Sequence, residues 1–295
     1  MDSRIIATRD HEVVAAINRR TGAGLRVVGR APHGRLGGAI YAEWPGGRPA
    51  VVTRFLGPLA EAERTVEVLA HVRARGLPVA RHDLVVDLDD GVVFVQERLP
   101  SAPPRRLTPT RMDAIVEIND RFAGALAGWP DATVRLLCPD CGTGPCLRHE
   151  VLATHGARSR HVLEEILAIG RREPREMTGD DLVHVDLTAA NVLFDDHDRA
   201  TGVVDWNLGA SRGDRLFALI QTRIDREWFV RAADADPVET AAAVHLDEIL
   251  AHRIAPATLR LYWAHWMLRQ LTWAVRSTPP DVVDWHLDMI ETRLA

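Results

Sequence analysis

Two carboxylates and a neutral amide fall close together in one stretch of the sequence, His184-Val185-Asp186-Leu187-Thr188-Ala189-Ala190-Asn191-Val192-Leu193-Phe194-Asp195, and a third acid follows in Val203-Val204-Asp205-Trp206. Asp186 and Asn191 are spaced so that one tight loop can project both side chains. Asp205 ends an apolar, strand-like run from Thr201 to Val204. Such a set suits phosphoryl transfer. That reaction passes through a loose transition state with spread negative charge, so catalysis is mostly positioning and charge stabilisation. One carboxylate would face the acceptor hydroxyl as general base. A second carboxylate and an amide oxygen would hold Mg²⁺, which takes hard oxygen ligands and keeps several waters. The plainer alternative is that Asp186 and Asn191 only shape a turn, as both residue types often do.

These groups need elements to position them. Leu25–Val28, Ala39–Trp44 and Ala50–Leu56 read as strands, the first two joined by the Gly-rich turn His33-Gly34-Arg35-Leu36-Gly37-Gly38. Residues 59–75 carry Leu59, Ala62, Val66, Leu69 and Val72 at helical spacing, and Gly76-Leu77-Pro78 closes the helix. Strands at 83–88 and 92–97 flank Asp89-Asp90-Gly91, a hairpin turn. Pro100-Ser101-Ala102-Pro103-Pro104 is a linker. Beyond it the chain is mainly helical, over 110–126, 161–171 and from about 237 to the end. The expected class is α+β, with a β-rich lobe over 1–100 and a mainly helical lobe over 101–295.

The pattern His-x-Asp-x-x-x-x-Asn-Val-Leu followed by apolar-apolar-Asp-Trp resembles the aminoglycoside phosphotransferase family, the antibiotic and small-metabolite branch of the protein-kinase-like fold. The order of elements agrees over most of the chain. The resemblance implies a two-lobed protein-kinase-like fold with ATP or GTP in the cleft between the lobes. It implies Asp186 as catalytic base, Asn191 and Asp205 as Mg²⁺ ligands, and His184 as the residue that orders the loop. Phe94–Pro100 then matches the hinge, where main-chain groups near Gln96, Glu97 and Leu99 would meet the purine, and Gly213-Asp214 would stabilise the fold. The implied acceptor is a hydroxyl of a small molecule, either an antibiotic or a metabolite such as a sugar, amino alcohol or homoserine-like compound. A catalytically inactive nucleotide-binding homologue is the reading outside the enzyme class.

One departure concerns the third strand. Kinase-like folds place there a Lys that pairs with a Glu on the next helix. All 36 basic residues of this chain are Arg. Arg54 stands at the matching place, either as a phosphate ligand or as an exposed strand residue. Its partner is expected at Glu61, although alignment from Gly76-Leu77-Pro78 puts Thr65 at the Glu position. The Gly-rich turn would lie over the phosphates or be a plain hairpin.

Three further features stand apart. Cys138-Pro139-Asp140-Cys141 and Cys146 with His149 would complete a Cys₃His tetrahedral set for a structural Zn²⁺, or form a reduced loop. Trp263, Trp266 and Trp273 share a helix face and, with Trp228 and Trp285, build core or floor an acceptor pocket. Asp225, Glu227, Asp281, Asp284 and Asp288 could hold a cationic acceptor or be solvated surface.

Composition narrows the remaining classes. The net charge of −5 argues against nucleic acid as the main partner. The absence of Lys excludes Schiff-base catalysis through lysine and a Walker-type P-loop. No apolar run reaches the roughly 18 residues of a membrane span. With no apolar leader at Met1-Asp2-Ser3-Arg4, the expectation is a cytoplasmic protein.

Overall fold

The computed structural model describes residues 3–31, 38–129, 132–134, 137, 149–172, 176–232 and 234–294. The chain opens with helix α1 (Ser3–Thr21), then strands β1 (Arg26–Arg30), β2 (Ile40–Glu43) and β3 (Pro49–Arg54), helix α2 (Leu59–Ala74), and strands β4 (His82–Leu88) and β5 (Gly91–Glu97). The strands form one antiparallel sheet in the order β1-β2-β3-β5-β4. Helix α1 has no counterpart among the elements expected from the sequence. It covers one face of the sheet through Val13, Val14 and Ile17, which pack with Ala50, Val52, Val86, Val93 and Val95. On the other face Ala62 of α2 packs with Phe55, Val92 and Phe94. Both sides of β5 are therefore covered. That is why its sequence is an unbroken apolar run from Val92 to Val95 rather than an alternating one.

The helical half begins with α3 (Pro109–Asp120), capped by Thr108, whose Oγ1 accepts from Arg111 N at 3.2 Å. Residues 121–128 leave this helix as turns, earlier than the expected end at 126. Helices α4 (His149–His155) and α5 (Ala157–Gly170) follow, then β6 (Asp181–His184), a single 3₁₀ turn at Ala189–Asn191, β7 (Val192–Phe194), β8 (Ala200–Val203) and β9 (Ala210–Gly213). Helices α6 (Leu216–Val230), α7 (Pro237–Arg253), α8 (Pro256–Ser277) and α9 (Pro280–Leu294) complete the fold. β6 pairs with β9 and β7 with β8, each antiparallel. Their buried residues join the helices in one large core that includes Trp206, Phe217, Trp263 and Trp266.

The halves meet along a seam of main-chain bonds. Leu56 N donates to Asn207 O at 2.9 Å, Val203 N to Pro78 O at 2.8 Å, and Phe194 N to Ala102 O at 2.8 Å. The Pro-rich linker thus runs against β7. No helix among the described residues is long and apolar enough to cross a membrane.

Candidate active site

Asp186 follows β6 directly, and its position is set by its own loop. His184 is buried, donates Nε2–H to Val204 O at 3.0 Å, and accepts the Asp186 backbone N–H on Nδ1 at 3.1 Å. The backbone N–H can only donate, so Nδ1 carries the lone pair and Nε2 the proton. Burial pushes the imidazole down to about 4, so it is neutral at physiological pH. Trp206 packs against the ring edge at 4.2 Å between centroids. Asn191 Nδ2 donates to Asp186 O at 2.8 Å, which ties the two ends of the loop and assigns Oδ1 of the amide to other contacts.

The β7–β8 hairpin brings in the third group. Val192 faces Val203, and Val204 N donates to Asn191 O at 2.9 Å. Asp205 then turns with φ +66°, in the left-handed region that few non-glycine residues occupy. Burial, and next the nearby charge of Asp186, raise its carboxyl to about 6. Asn207 opposes that rise by donating Nδ2 to Asp205 Oδ1. The structure thus brings His184, Asp186, Asn191 and Asp205 together. Two close carboxylates and an amide oxygen, with one acid strained by its neighbour's charge, form a hard-oxygen donor set that suits Mg²⁺.

The cleft side of the sheet differs from the expectation at Arg54. Arg54 donates Nη2 to Asp90 Oδ2 at 2.5 Å and Nη1 to Asp90 O at 3.1 Å. Asp90 lies with α1 residues Arg9, Glu12 and Val13 around a cleft of about 450 Å³ on the outer face. Strand alternation explains the placement. Arg54 shares its face with Ala50 and Val52, which pack on α1, whereas Thr53 pairs with Phe94 and shares the α2 face. Glu61 is exposed in the first turn of α2. Arg54 therefore closes on Asp90 rather than on Glu61, whose Oε2 lies 2.9 Å from where a Cβ on Gly57 would stand, beside Leu56, which bonds Asn207. The buried residues nearest the expected pair are neutral: Thr53, and Thr65, whose Oγ1 lies 3.5 Å from where a Cβ on Gly209 would stand.

At the hinge, Gln96, the penultimate residue of β5, shares a face with Phe94 and is buried. Among the described residues its Oε1 has no hydrogen-bond partner, and neither has Thr53 Oγ1. Glu97 is committed locally, accepting from Arg81 N at 2.8 Å and pairing with Arg73 at 2.6 Å. Leu99 rests on Gly202 of β8, where a Cβ would come within 2.6 Å of Leu99 Cδ1. Gln96 Oε1 and Thr53 Oγ1 are thus buried polar atoms that the described residues leave without a partner, beside the close packing of Leu99 on Gly202.

A sequence model of the phosphotransferase enzyme family matches residues 30–249. The chain belongs to this family. Like several of its solved relatives, this phosphotransferase-family chain has an α+β, protein-kinase-like fold. It superposes on a thermostable mutant of aminoglycoside phosphotransferase APH(4)-Ia with a TM-score of 0.66 at 18% identity, over 95% of this chain and 97% of that one. It superposes on choline kinase LicA from Streptococcus pneumoniae with a TM-score of 0.61 at 16% identity, over 96% and 99%. Comparison with curated protein sequences finds no match.

Other expectations meet different outcomes in this family member. Cys138, Cys141 and Cys146 lie outside the described residues, as does the Gly-rich turn except Gly38. His149 opens α4, and among the described residues no group of three or more His, Cys, Asp or Glu is placed to hold a metal. The acids suggested for a cationic acceptor are mostly committed to arginines. Glu227 is buried among Arg223, Arg231 and Arg293, Asp225 pairs with Arg226, and Asp288 with Arg158. Trp263 and Trp266 are core, whereas Trp228 and Trp285 stack at 4.5 Å and are only partly buried. Two residues near Asp186 and Asp205 had no signal of a role in their spacing: Asn207, which holds Asp205, and Gln221, whose Nε2 donates to Asp186 Oδ1 at 3.1 Å.

Proposed function

We propose that this chain transfers the γ-phosphoryl group of ATP or GTP to a hydroxyl of a small molecule, with Asp186 as the general base. The observation that carries this reading is the geometry around Asp186: its backbone is held by His184 and Asn191, and Asp205 stands close enough to be raised by its charge. A Mg²⁺ ion held by Asn191 Oδ1 and the Asp205 carboxylate would neutralise the charge that builds on the phosphates. The rest falls to the chain. Asp186 orients the acceptor hydroxyl and takes its proton as the oxygen attacks phosphorus. Neutral His184 keeps the loop in register without adding a charge that would compete for the phosphates. The hinge at Gln96, Glu97 and Leu99 receives the purine.

Support comes also from relatives of the same fold. A mutant of APH(4)-Ia is known as a ternary complex with ADP and hygromycin B. By resemblance, an antibiotic of the aminoglycoside type is the first acceptor class. The pairing of Glu227, Asp225 and Asp288 with arginines favours a second class, a less cationic metabolite such as a sugar or amino alcohol, which the Trp228–Trp285 stack could floor.

A nucleotide-consumption screen over antibiotics and metabolites, with mass detection of phosphorylated product, decides between them. Acceptor-dependent turnover with one class identifies it. Thermal stabilisation by ATP without transfer to any acceptor would leave an inactive nucleotide-binding homologue and overturn the proposal.

A further inference from the structure

Helix α6 holds Asp186 and the next residue, Leu187, from two successive positions. Gln221 donates Nε2 to Asp186 Oδ1 at 3.1 Å, and Thr222 donates Oγ1 to Leu187 O at 2.5 Å. Gln221 is only 7% exposed and follows the apolar run Leu216–Ile220, where an unanchored amide would be costly to bury. Its other end is also engaged. Gln270 of α8 donates Nε2 to Gln221 Oε1 at 3.3 Å. The two bonds fix which way round the amide sits. An ionised carboxylate only accepts, so the amide nitrogen must face Asp186, and the Gln270 donor holds the oxygen on the opposite side.

The choice of residue is informative in a chain so rich in arginine. A guanidinium here would pair with Asp186 as a charge and draw it away from an acceptor hydroxyl. A neutral amide restricts the carboxylate's rotation and favours its ionised form without cancelling its charge. Both glutamines sit on long helices rather than loops, and such placement holds a reactive group to within fractions of an ångström.

We infer that Gln221 is a positioning residue for the general base and that Gln270 sets its orientation. This rests on the reading of Asp186 as the base. Gln221→Leu should lower kcat about tenfold or more, the worth of a hydrogen bond to a charged group, with the KM for nucleotide unchanged. Gln270→Leu should lower kcat in the same direction by less, about threefold, and serves if the first variant does not fold. In an Asp186→Ala background Gln221→Leu should leave the residual turnover unchanged, because the partner it orients is gone. An equal loss in both backgrounds would mean a merely structural role and overturn the inference, as would wild-type kcat in Gln221→Leu.

A second readout needs no turnover. The Gln221 side-chain amide resonance, identified by its disappearance in Gln221→Leu, should shift in both Asp186→Ala and Gln270→Leu. If no acceptor is ever phosphorylated, the proposed function fails while this resonance still reports on the relay. A resonance that stays in place in either variant removes the relay itself.

Discussion

Arg54 and Thr53, adjacent on β3, leave the sheet on opposite faces: Arg54 closes on Asp90 on the α1 side, and Thr53 lies beside Phe94 on the α2 side. A strand alternates with a period of two, so a displacement of one residue decides which side chain can meet a nucleotide. Arg54→Ala should therefore change the nucleotide KM by less than about twofold, and it should cost at most about 1 kcal/mol of stability, as for an exposed ion pair. Steady-state kinetics and chemical denaturation check this. A tenfold rise in nucleotide KM would show that Arg54 reaches the phosphates after all.

Asp186 and Asp205 share a site but should fail in different ways. Asp186→Ala removes the proposed base, so kcat should fall by about 10² to 10⁴ while nucleotide still binds. Asp205→Ala removes a ligand of the ion that bridges the phosphates, so Mg-nucleotide binding itself should weaken. Calorimetric titration of both variants with Mg-ATP separates the two. Equal binding by both would break the division of labour.

The pH dependence of stability has opposing contributions whose signs can be worked out. His184 and His82 are both lowered from 6.5 to about 4, chiefly by burial. The unfolded chain protonates them first, so each contributes stability that is present above pH 6.5 and lost as pH falls towards 4. Asp205 is raised from 3.8 to about 6, so the native state takes up its proton first, and its cost is relieved as pH falls through 6. The metal-free protein should thus lose stability between pH 6.5 and 4, two histidines outweighing one acid. Asp205→Asn should be more stable than the parent at pH 7 by up to about 3 kcal/mol and should lose stability more steeply on acidification. Denaturant titrations at pH 5 and 7 test both statements, and a less stable Asp205→Asn at pH 7 would contradict them.

What was legible in the sequence follows from how local each feature is. His184, Asp186 and Asn191 lie on one loop, and Asp205 lies on the partner strand of a short hairpin, so spacing alone placed them near one another. The turn at Asp89-Asp90-Gly91 was legible because glycine takes φ +126° there. Arg54 was not, because the inward face of a strand depends on what covers each side. The α1 helix buries the side that would otherwise be solvent. With both faces covered, alternation no longer distinguishes cleft from core. Gln221 was illegible for a different reason. Its partner lies 35 positions away, and a lone amide in an apolar helix has no spacing to read.

Leu99 and Gly202 offer a test of the purine slot that leaves the reacting groups untouched. A methyl on Gly202 would sit 2.6 Å from Leu99 Cδ1, closer than van der Waals contact allows. The opposing atom ends a flexible side chain, so rotation of Leu99 relieves the clash, and Gly202→Ala should fold with a small loss of stability, about 1 kcal/mol. The rotated leucine then intrudes on the hinge. If the same cost of about 1 kcal/mol falls on the bound state, the nucleotide KM rises about fivefold. The acceptor KM and the rate at saturating nucleotide should stay near the parent values, because Asp186 and Gln221 lie on other elements and the displaced atom is the tip of Leu99. An unchanged nucleotide KM in a well-folded Gly202→Ala protein would place the purine somewhere other than against Leu99.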